Sequence, residues 1–591
     1  MKKRKDIDYK YKWDLKEYFA SNEDWEKEFN NFSEDILNIG KYNEKLIDSK
    51  NILDCLKLIE NLEKRAEALY VYANSLKDLN VAEAKSQEML NKIEQKYAEY
   101  SVFSSFINPQ LSKLSKDFLL DLADNNDFIN YNKVITDIIR EKEHTLSEEQ
   151  EELLSNVSNF SNDFMQNFSN FENGDLRFNK VLNGKDKQLP MNQNLAGIYL
   201  RNNDEVLRQN AYIELNLAFG RFNNFLTSNY LGNVKKDVFY ATVRKFNSSL
   251  EKTMFYENVN EDVYNKLVEK VNNNLSLDHK YFELKRKLLG LKQFKLSDVY
   301  YNPFKTTKKY TYEQAFELVC TALNILGKDY VAELKKMYNN NQIDVFPTEN
   351  KYNGGYKTSA YGKPPLVLLN FAGEFDDVST IAHELGHAMH SVYSSANQPL
   401  FKASYTIFLA EVASTVNETL LNDYMLNNTN DINEKIFFIN EFLSRFHATV
   451  YRQTMFANFE VLAHNLIENK QSVSSSILND EYLKLVKKYF GKKVKIFDCV
   501  KYEWSRIPHF YTAFYVYKYA TGLISAINIV ENLKKGIITV DDYKEFLSSG
   551  CKEDPLTLLK IVKVDLSKSE TFDNAFNVAE RYIKELEKCV K

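Results

Sequence analysis

The segment VSTIAHELGHAMHSVYSS, residues 378–395, carries two histidines and a glutamate at a spacing that suits metal chemistry. Positions four apart on an α-helix differ by only about 40° around its axis. His383 and His387 therefore lie on one face and can bind one metal ion through their imidazole nitrogens. Glu384 lies about 100° from His383 around the axis, so its carboxylate can sit beside the metal without being a ligand. The alternative is a chance match on an ordinary helix, which is rare in a chain with 8 histidines among 591 residues.

A third ligand is required, because a catalytic zinc ion usually has three protein ligands and a water. The metzincin spacing is absent, since Tyr393 stands where that pattern requires its third histidine. Glu411, which opens EVASTVNETLL, is the first carboxylate after His387 and is the expected third ligand. Glu418 lies two turns further along the same helical pattern and can hold a ligand histidine by its other ring nitrogen. The alternative for Glu418 is an ordinary salt bridge on a helix face.

Other residues of the HELGH segment indicate how its helix is held. Asp376 or Asp377 is expected to cap the helix at its N-terminus. Gly386 costs about 1 kcal/mol relative to alanine inside a helix, so we expect another segment to pack closely against it. His390 lies one turn beyond His387, too far along the axis to complete the site, and is expected either to be a packed histidine or to support a ligand from behind.

The rest of the chain reads as a mostly α-helical protein with enough residues for two or more domains. Successive amphipathic helices are predicted over residues 10–165, 197–290 and from 376 to the end. Two β exceptions are expected: a small hairpin near two Asn-Gly pairs in 172–190, and a buried strand at PLVLLNF just before the HELGH helix. We place an N-terminal helical domain at residues 1–195 and a catalytic domain at 196–591.

Composition excludes several classes of protein. A net charge of −5 leaves no basic excess for nucleic acid. The basic start lacks the apolar centre of a secretory signal, and no apolar run is long enough to cross a bilayer. The 5 cysteines are scattered without CxxC spacing, as is typical of reduced thiols. We therefore expect a cytoplasmic protein that binds neither nucleic acid nor membrane; an oligomeric state is not indicated.

Several motifs together resemble the thimet oligopeptidase family of HExxH zinc metallopeptidases, and within it the oligoendopeptidase F group. HELGHAMH is followed at the family's interval by EVASTVNE. LLNFAGEFDDVSTIAHELGHAMHSVYSS and RIPHFYTAFYVYKYATGLISA, residues 506–526, are further matches. The opening YKWDLKEYFASNEDWEKEF is similar to the family's N-terminus.

The resemblance implies a large helical, clam-like molecule with one Zn²⁺ ion deep in a channel that admits short flexible peptides. It assigns His383, His387 and Glu411 as ligands and Glu384 as general base.

The family also uses a histidine and tyrosines from a C-terminal segment to stabilise the transition state. His509 matches the histidine, and Tyr515 and Tyr519 have the four-residue spacing of the tyrosines. The alternatives are a core histidine bonded to a carbonyl and, in a chain with 38 tyrosines, ordinary packing tyrosines.

The function predicted on this basis is that of a zinc metalloendopeptidase acting on internal bonds of short, unstructured oligopeptides. Extended substrates are expected to pair with the strand at PLVLLNF or with the neighbouring GGYKTSAY. Two alternatives stay open: a zinc carboxypeptidase or dipeptidyl-carboxypeptidase on a related helical scaffold, and an inactive peptide-binding relative. The intact Glu384 argues against the second, because a pure binder does not need a general base.

Overall fold

The computed structural model describes residues 2–304 and 308–590. Long α-helices joined by short loops make up most of it, with two small sheets. The predicted mostly α-helical fold class is confirmed. The chain forms two compact units, each built from three stretches: the first unit from Met1–Glu148, Lys308–Leu421 and Ile529–Lys563, the second from Glu149–Thr307, Asn422–Asn528 and Val564–Lys591. The division into sequence domains at residues 1–195 and 196–591 stays a prediction.

Most of the α-helices lie within the predicted amphipathic segments, but Tyr312–Ala322 and Lys328–Asn339 lie between those segments and were not predicted. Those before residue 300 are Asn22–Asp35, Ser49–Leu79, Ala84–Ser104, Ile107–Lys113, Lys116–Asp124, Asn132–Glu141, Glu148–Ser161, Asp163–Asn170, Gln193–Leu200, Glu205–Gly220, Asn223–Val243, Ser249–Tyr256, Glu261–Asn273 and Leu275–Leu288. Those after it are Tyr312–Ala322, Lys328–Asn339, Phe375–Asn397, Leu400–Ala403, Ile407–Asn427, Ile432–Phe446, Arg452–Glu468, Ser475–Phe490, Tyr517–Lys534, Val540–Leu547, Pro555–Ile561 and Ser569–Cys589. Among the described helices, none combines the length and the apolar character that a membrane crossing demands.

A small hairpin lies in the second unit, as predicted. Its strands β1 (Val181–Leu182) and β2 (Gln188–Leu189) pair antiparallel, and Asn183-Gly184 opens the turn between them. The other Asn-Gly pair, at 173–174, lies instead in a short π-helical turn, Phe171–Asp175. One Asn-Gly pair therefore makes the hairpin and the other ends a helix.

A three-stranded sheet lies in the first unit, just before the HELGH helix in sequence. Its strands are β3 (Ile343–Asp344), β4 (Tyr356–Thr358) and β5 (Leu366–Leu368), in the order β3-β5-β4. The central β5 pairs parallel with β3 and antiparallel with β4. All three residues of β5 are fully buried, which confirms the predicted strand at PLVLLNF.

The sheet is anchored to the first unit by its N-terminal segment and helices. The indole of Trp13 donates to the carbonyl oxygens of Gln342, at 3.0 Å, and Val367, at 2.9 Å. Leu366 and Leu368 join the same buried apolar cluster as the helix Ser49–Leu79. Burying these side chains stabilises the sheet, which in turn fixes the backbone beside the HELGH helix.

Candidate active site

The HELGH helix, Phe375–Asn397, begins two or three residues earlier than a cap at Asp376 or Asp377 would place it. Its N-cap is Glu374, and the Asp377 carboxylate accepts the backbone N–H of Glu374 at 2.8 Å. The predicted cap at Asp376 or Asp377 is therefore wrong, because both residues lie within the first turn. Asp377 still satisfies a backbone donor at the helix start, because it occupies position N3 of a capping box.

Gly386 lets a second helix approach the HELGH helix closely. A β-carbon built on Gly386 would lie 2.5 Å from the Cα of Ser414 and 2.7 Å from the carbonyl oxygen of Ala413. Both residues belong to the helix Ile407–Asn427, which we call the Glu411 helix. The side-chain amide of Asn417 donates to the carbonyl oxygen of Ala382 at 3.0 Å and ties the two helices together. The close packing predicted at Gly386 is thus confirmed.

This packing brings two imidazoles and a carboxylate together. The Nε2 atoms of His383 and His387 are 3.2 Å apart. The Oε2 atom of Glu411 lies 3.6 Å from Nε2 of His383 and 4.0 Å from Nε2 of His387. Ligand atoms bound at about 2.0–2.1 Å to one tetrahedral ion lie about 3.3 Å from each other. The three side chains therefore fit a single ion of that kind.

Glu418 lies on the opposite side of His383. Its Oε2 atom is 3.4 Å from Nδ1 of His383, and Ser379 Oγ donates to its Oε1 at 3.2 Å. Burial by itself would lower the pKa of His383, but the hydrogen bond and charge of Glu418, with the charges of Glu384 and Glu411, raise it to about 9. The carboxylates thus make the site attractive to a cation. The arrangement is the one that orients a ligand imidazole through its other nitrogen.

His387 has the opposite electrostatic environment. Burial, and then the neighbouring charge of His383, lower its pKa to about 3. His387 is therefore neutral at physiological pH and offers a lone pair to a metal.

Glu384 is buried beside this cluster. Burial raises its pKa to about 7; the charge of His383 opposes the shift, and those of Glu411 and Glu418 add to it. A carboxyl group with such a pKa can both take and return a proton near neutral pH. Gly355, just before β4, is its backbone neighbour: a β-carbon built there would lie 3.8 Å from Oε1 of Glu384.

Lys357, on β4, was not identified from the sequence. Burial lowers the pKa of its ammonium to about 8, against the opposing charges of Glu384 and Glu67. Its Nζ donates to Ser359 Oγ at 2.9 Å. The only sequence signal was a lone lysine two residues after a Gly-Gly pair.

His390 is packed, as predicted. Its ring stacks on the ring of Tyr405 with centroids 3.7 Å apart, and burial lowers its pKa to about 3. Its side chain is 1% exposed.

The second unit brings together another group of the predicted residues. Nε2 of His509 lies 3.4 Å from the hydroxyl of Tyr519. The ring of Tyr515 lies 5.8 Å from that of His509 and 5.4 Å from that of Tyr519, measured between centroids. His509 is exposed, and both tyrosines are partly exposed.

A helical fold with a His-His-Glu cluster built on an HExxH helix defines the class as a helical metallopeptidase. The family model "Peptidase family M3" matches residues 198–578, and the model "Oligopeptidase F" matches residues 110–178. Oligopeptidase PepF of Bacillus subtilis is 34% identical over 584 residues, covering 98% of this chain and 87% of the relative. Group B oligopeptidase PepB of Streptococcus agalactiae is 32% identical over 590 residues, covering 99% of this chain and 98% of the relative. The crystal structure of oligoendopeptidase-F from Enterococcus faecium superposes with a TM-score of 0.76 at 26% identity, covering 96% of this chain and 99% of that one.

These matches show that the chain belongs to peptidase family M3. The resemblance to the oligoendopeptidase F group and the prediction of a metalloendopeptidase are confirmed.

Proposed function

We propose that the chain is a cytoplasmic zinc endopeptidase that hydrolyses internal peptide bonds of short, unstructured oligopeptides. The observation that carries this proposal is the convergence of His383, His387 and Glu411, with the Glu384 carboxyl group beside them. The names of the relatives, oligopeptidase and oligoendopeptidase, support the substrate class.

His383, His387 and Glu411 would hold the ion. Once His383 has lost its proton, two neutral imidazoles and one carboxylate form a ligand set that suits zinc better than Mg²⁺ or Ca²⁺, which prefer oxygen ligands. When bound, Zn²⁺ lowers the pKa of a water molecule to about 7 and supplies positive charge to the reaction. Glu418 keeps the His383 ring oriented through Nδ1, so that Nε2 faces the other two ligands.

Glu384 is the general base in this proposal. It takes a proton from the attacking water and passes it to the leaving amine. Its raised pKa suits both steps, because it is basic enough to accept the proton and acidic enough to release it. His509, Tyr515 and Tyr519 take the role that the resemblance assigns to them: one of them donates a hydrogen bond to the carbonyl oxygen as it gains negative charge.

Strand β4 is the proposed docking edge for the substrate. Strand β5 is hydrogen-bonded on both sides, whereas within the described residues β4 pairs only with β5. An extended peptide added to β4 would run beside Gly355, and therefore beside the Glu384 carboxyl group. Backbone pairing gives affinity with little demand on side chains, which suits a peptidase of loose sequence preference.

The test uses two short peptides of one sequence, one free at both ends and one acetylated and amidated. Both are incubated with the protein, with and without a chelator, and products are read by mass spectrometry. We expect internal cleavage of both peptides, its loss on chelation and its return with added zinc. Release of C-terminal residues from the free peptide alone would establish a carboxypeptidase. No cleavage of either peptide by zinc-loaded protein would favour an inactive peptide-binding relative.

A further inference from the structure

Phe514 has a backbone conformation that is unfavourable for a bulky residue. Its φ angle is 52°, in the left-handed region. A non-glycine residue held there costs about 1–3 kcal/mol and persists only where its surroundings impose the conformation. Phe514 directly precedes Tyr515 and lies five residues after His509. The backbone turn at Phe514 therefore sets where these two side chains lie relative to each other.

Glu460, on the helix Arg452–Glu468, holds this turn. Its Oε1 atom accepts the backbone N–H of Phe514 at 2.9 Å. The Glu460 side chain is 0% exposed, and its Oε2 atom has no hydrogen-bond partner. Burying such a group is expensive, and burial raises its pKa to about 8. A residue that only filled space would avoid that cost.

The ring of Phe514 is fixed from two sides. His464, one turn after Glu460, has its ring centroid 4.6 Å from that of Phe514. Nδ1 of His464 bonds to the Glu460 carbonyl oxygen at 2.8 Å, and its Nε2 lies 3.6 Å from Oδ2 of Asp237. The ring of Tyr264 meets Phe514 edge-on at 6.1 Å. Side chain and backbone of Phe514 are thus both held.

The chain on either side of Phe514 is anchored as well. Before it, the hydroxyl of Tyr511 accepts a hydrogen bond from the Asn229 side-chain amide at 3.0 Å. After it, the hydroxyl of Tyr517 donates to Glu257 at 2.8 Å, and Lys518 forms an ion pair with the same carboxylate. Between these anchors, the Glu460 carboxyl group is what holds the backbone N–H at the strained turn.

We propose that Glu460 is a positioning residue for the reaction: through the Phe514 backbone it fixes His509, Tyr515 and Tyr519 relative to one another. This inference rests on the proposed function, in which that group stabilises the transition state. A displacement of about 1 Å in such a group is enough to cost about 10²-fold in rate.

The experiment compares Glu460→Leu with Glu460→Gln. Leucine removes the acceptor while filling the space; glutamine keeps an oxygen for the Phe514 N–H. We expect Glu460→Leu to lower kcat on a short peptide by about 10–10²-fold with KM within a few-fold. Glu460→Gln should keep most of the kcat that Glu460→Leu loses. Deuterium exchange of the peptide spanning residues 509–519 should rise in the leucine variant only.

The matched control is Glu214→Leu in the same unit. Glu214 is also buried and accepts a backbone N–H, that of Asn179 at 2.7 Å, but it does not bond to the segment of His509. Glu214→Leu should lower the melting temperature while leaving kcat and exchange of 509–519 near the wild-type values.

A double-mutant cycle separates positioning from general destabilisation. In a His509→Ala background, Glu460→Leu should lower kcat by only a few-fold, because the group it positions is already impaired. An equal loss in both backgrounds, unchanged exchange of 509–519, or no rescue by glutamine would overturn the inference. Normal turnover of His509→Ala alone would instead refute the role proposed for His509. If Glu460→Leu does not fold, Glu460→Met is measured by the same criteria.

Discussion

Gly386 and Ser414 bring the HELGH helix and the Glu411 helix closer than any side chain would allow, since a β-carbon on Gly386 would lie 2.5 Å from the Cα of Ser414. The neighbour is backbone, which cannot rotate away. Glu411, the proposed third ligand, lies three residues before Ser414, so the same contact that packs the helices also sets the position of Glu411.

Gly386→Ala should therefore destabilise the protein and weaken metal binding together. Alanine gains about 1 kcal/mol in helix propensity, but overpacking against backbone costs about 1–3 kcal/mol. Chemical denaturation and zinc titration measure the two effects.

Gly197→Ala is the matched control, because Gly197 also lies in a helix but has nothing within 4 Å of its would-be β-carbon. That variant should be neutral or slightly stabilised. If Gly386→Ala matches Gly197→Ala in both stability and zinc affinity, the close contact of the two helices is not needed for folding or for metal binding.

Glu418→Gln should weaken zinc binding by about 10–100-fold, the usual effect of losing a carboxylate that orients a ligand histidine. Glutamine keeps the shape but loses the charge that faces Nδ1 of His383. Ser379→Ala, which removes only the hydrogen bond to Oε1 of Glu418, should have a smaller effect. Unchanged zinc affinity in Glu418→Gln would show that Glu418 does not orient the ligand histidine and forms only an ordinary salt bridge.

Zinc binding to chelator-treated protein should strengthen with rising pH. The pKa of His383, ordinarily 6.5, is raised to about 9 without metal, so at pH 7 the ring carries a proton that zinc must displace. Apparent affinity should rise by about tenfold per pH unit up to about pH 9 and then level off, with release of about one proton per zinc at pH 7. Calorimetry in buffers of different ionisation enthalpy measures the proton release. Affinity independent of pH between 6 and 8 would contradict the raised pKa.

His509→Ala should retain zinc and thermal stability while losing about 10²–10³ in kcat, with KM within a few-fold. The side chain is exposed, so its removal leaves no cavity. Steady-state kinetics measures kcat and KM of this variant, and metal analysis measures its zinc content. A normal rate would move the role to Tyr515 or Tyr519.

The HELGH helix and its partner were predictable because their signals are local. His383 and His387 share a face by helical period alone, and Gly386 marks a close contact by its cost in a helix. Glu411 could be identified because the residues between it and His387 contain no carboxylate. The cluster of these side chains follows directly from that pattern.

Long-range features could not be read in the same way. The hydrogen bond between Glu460 and Phe514 joins residues 54 positions apart, and a left-handed phenylalanine has no sequence signature. The position of Lys357 near Glu384 could not be predicted either. It depends on the pairing of β4 with β5, which brings the neighbouring Gly355 beside Glu384. The interleaving of three stretches in each unit likewise depends on tertiary packing.

Zinc content and turnover of Glu384→Gln, measured on one preparation, test the central claim most directly. The account predicts about one zinc per chain, as in the wild type, with turnover of an end-blocked peptide reduced by ~10²–10⁴. His383→Ala, His387→Ala and Glu411→Ala, assayed alongside, should instead lose zinc. Zinc loss in Glu384→Gln like that of the ligand variants, or a wild-type rate with zinc bound, would contradict the division between one base and three ligands.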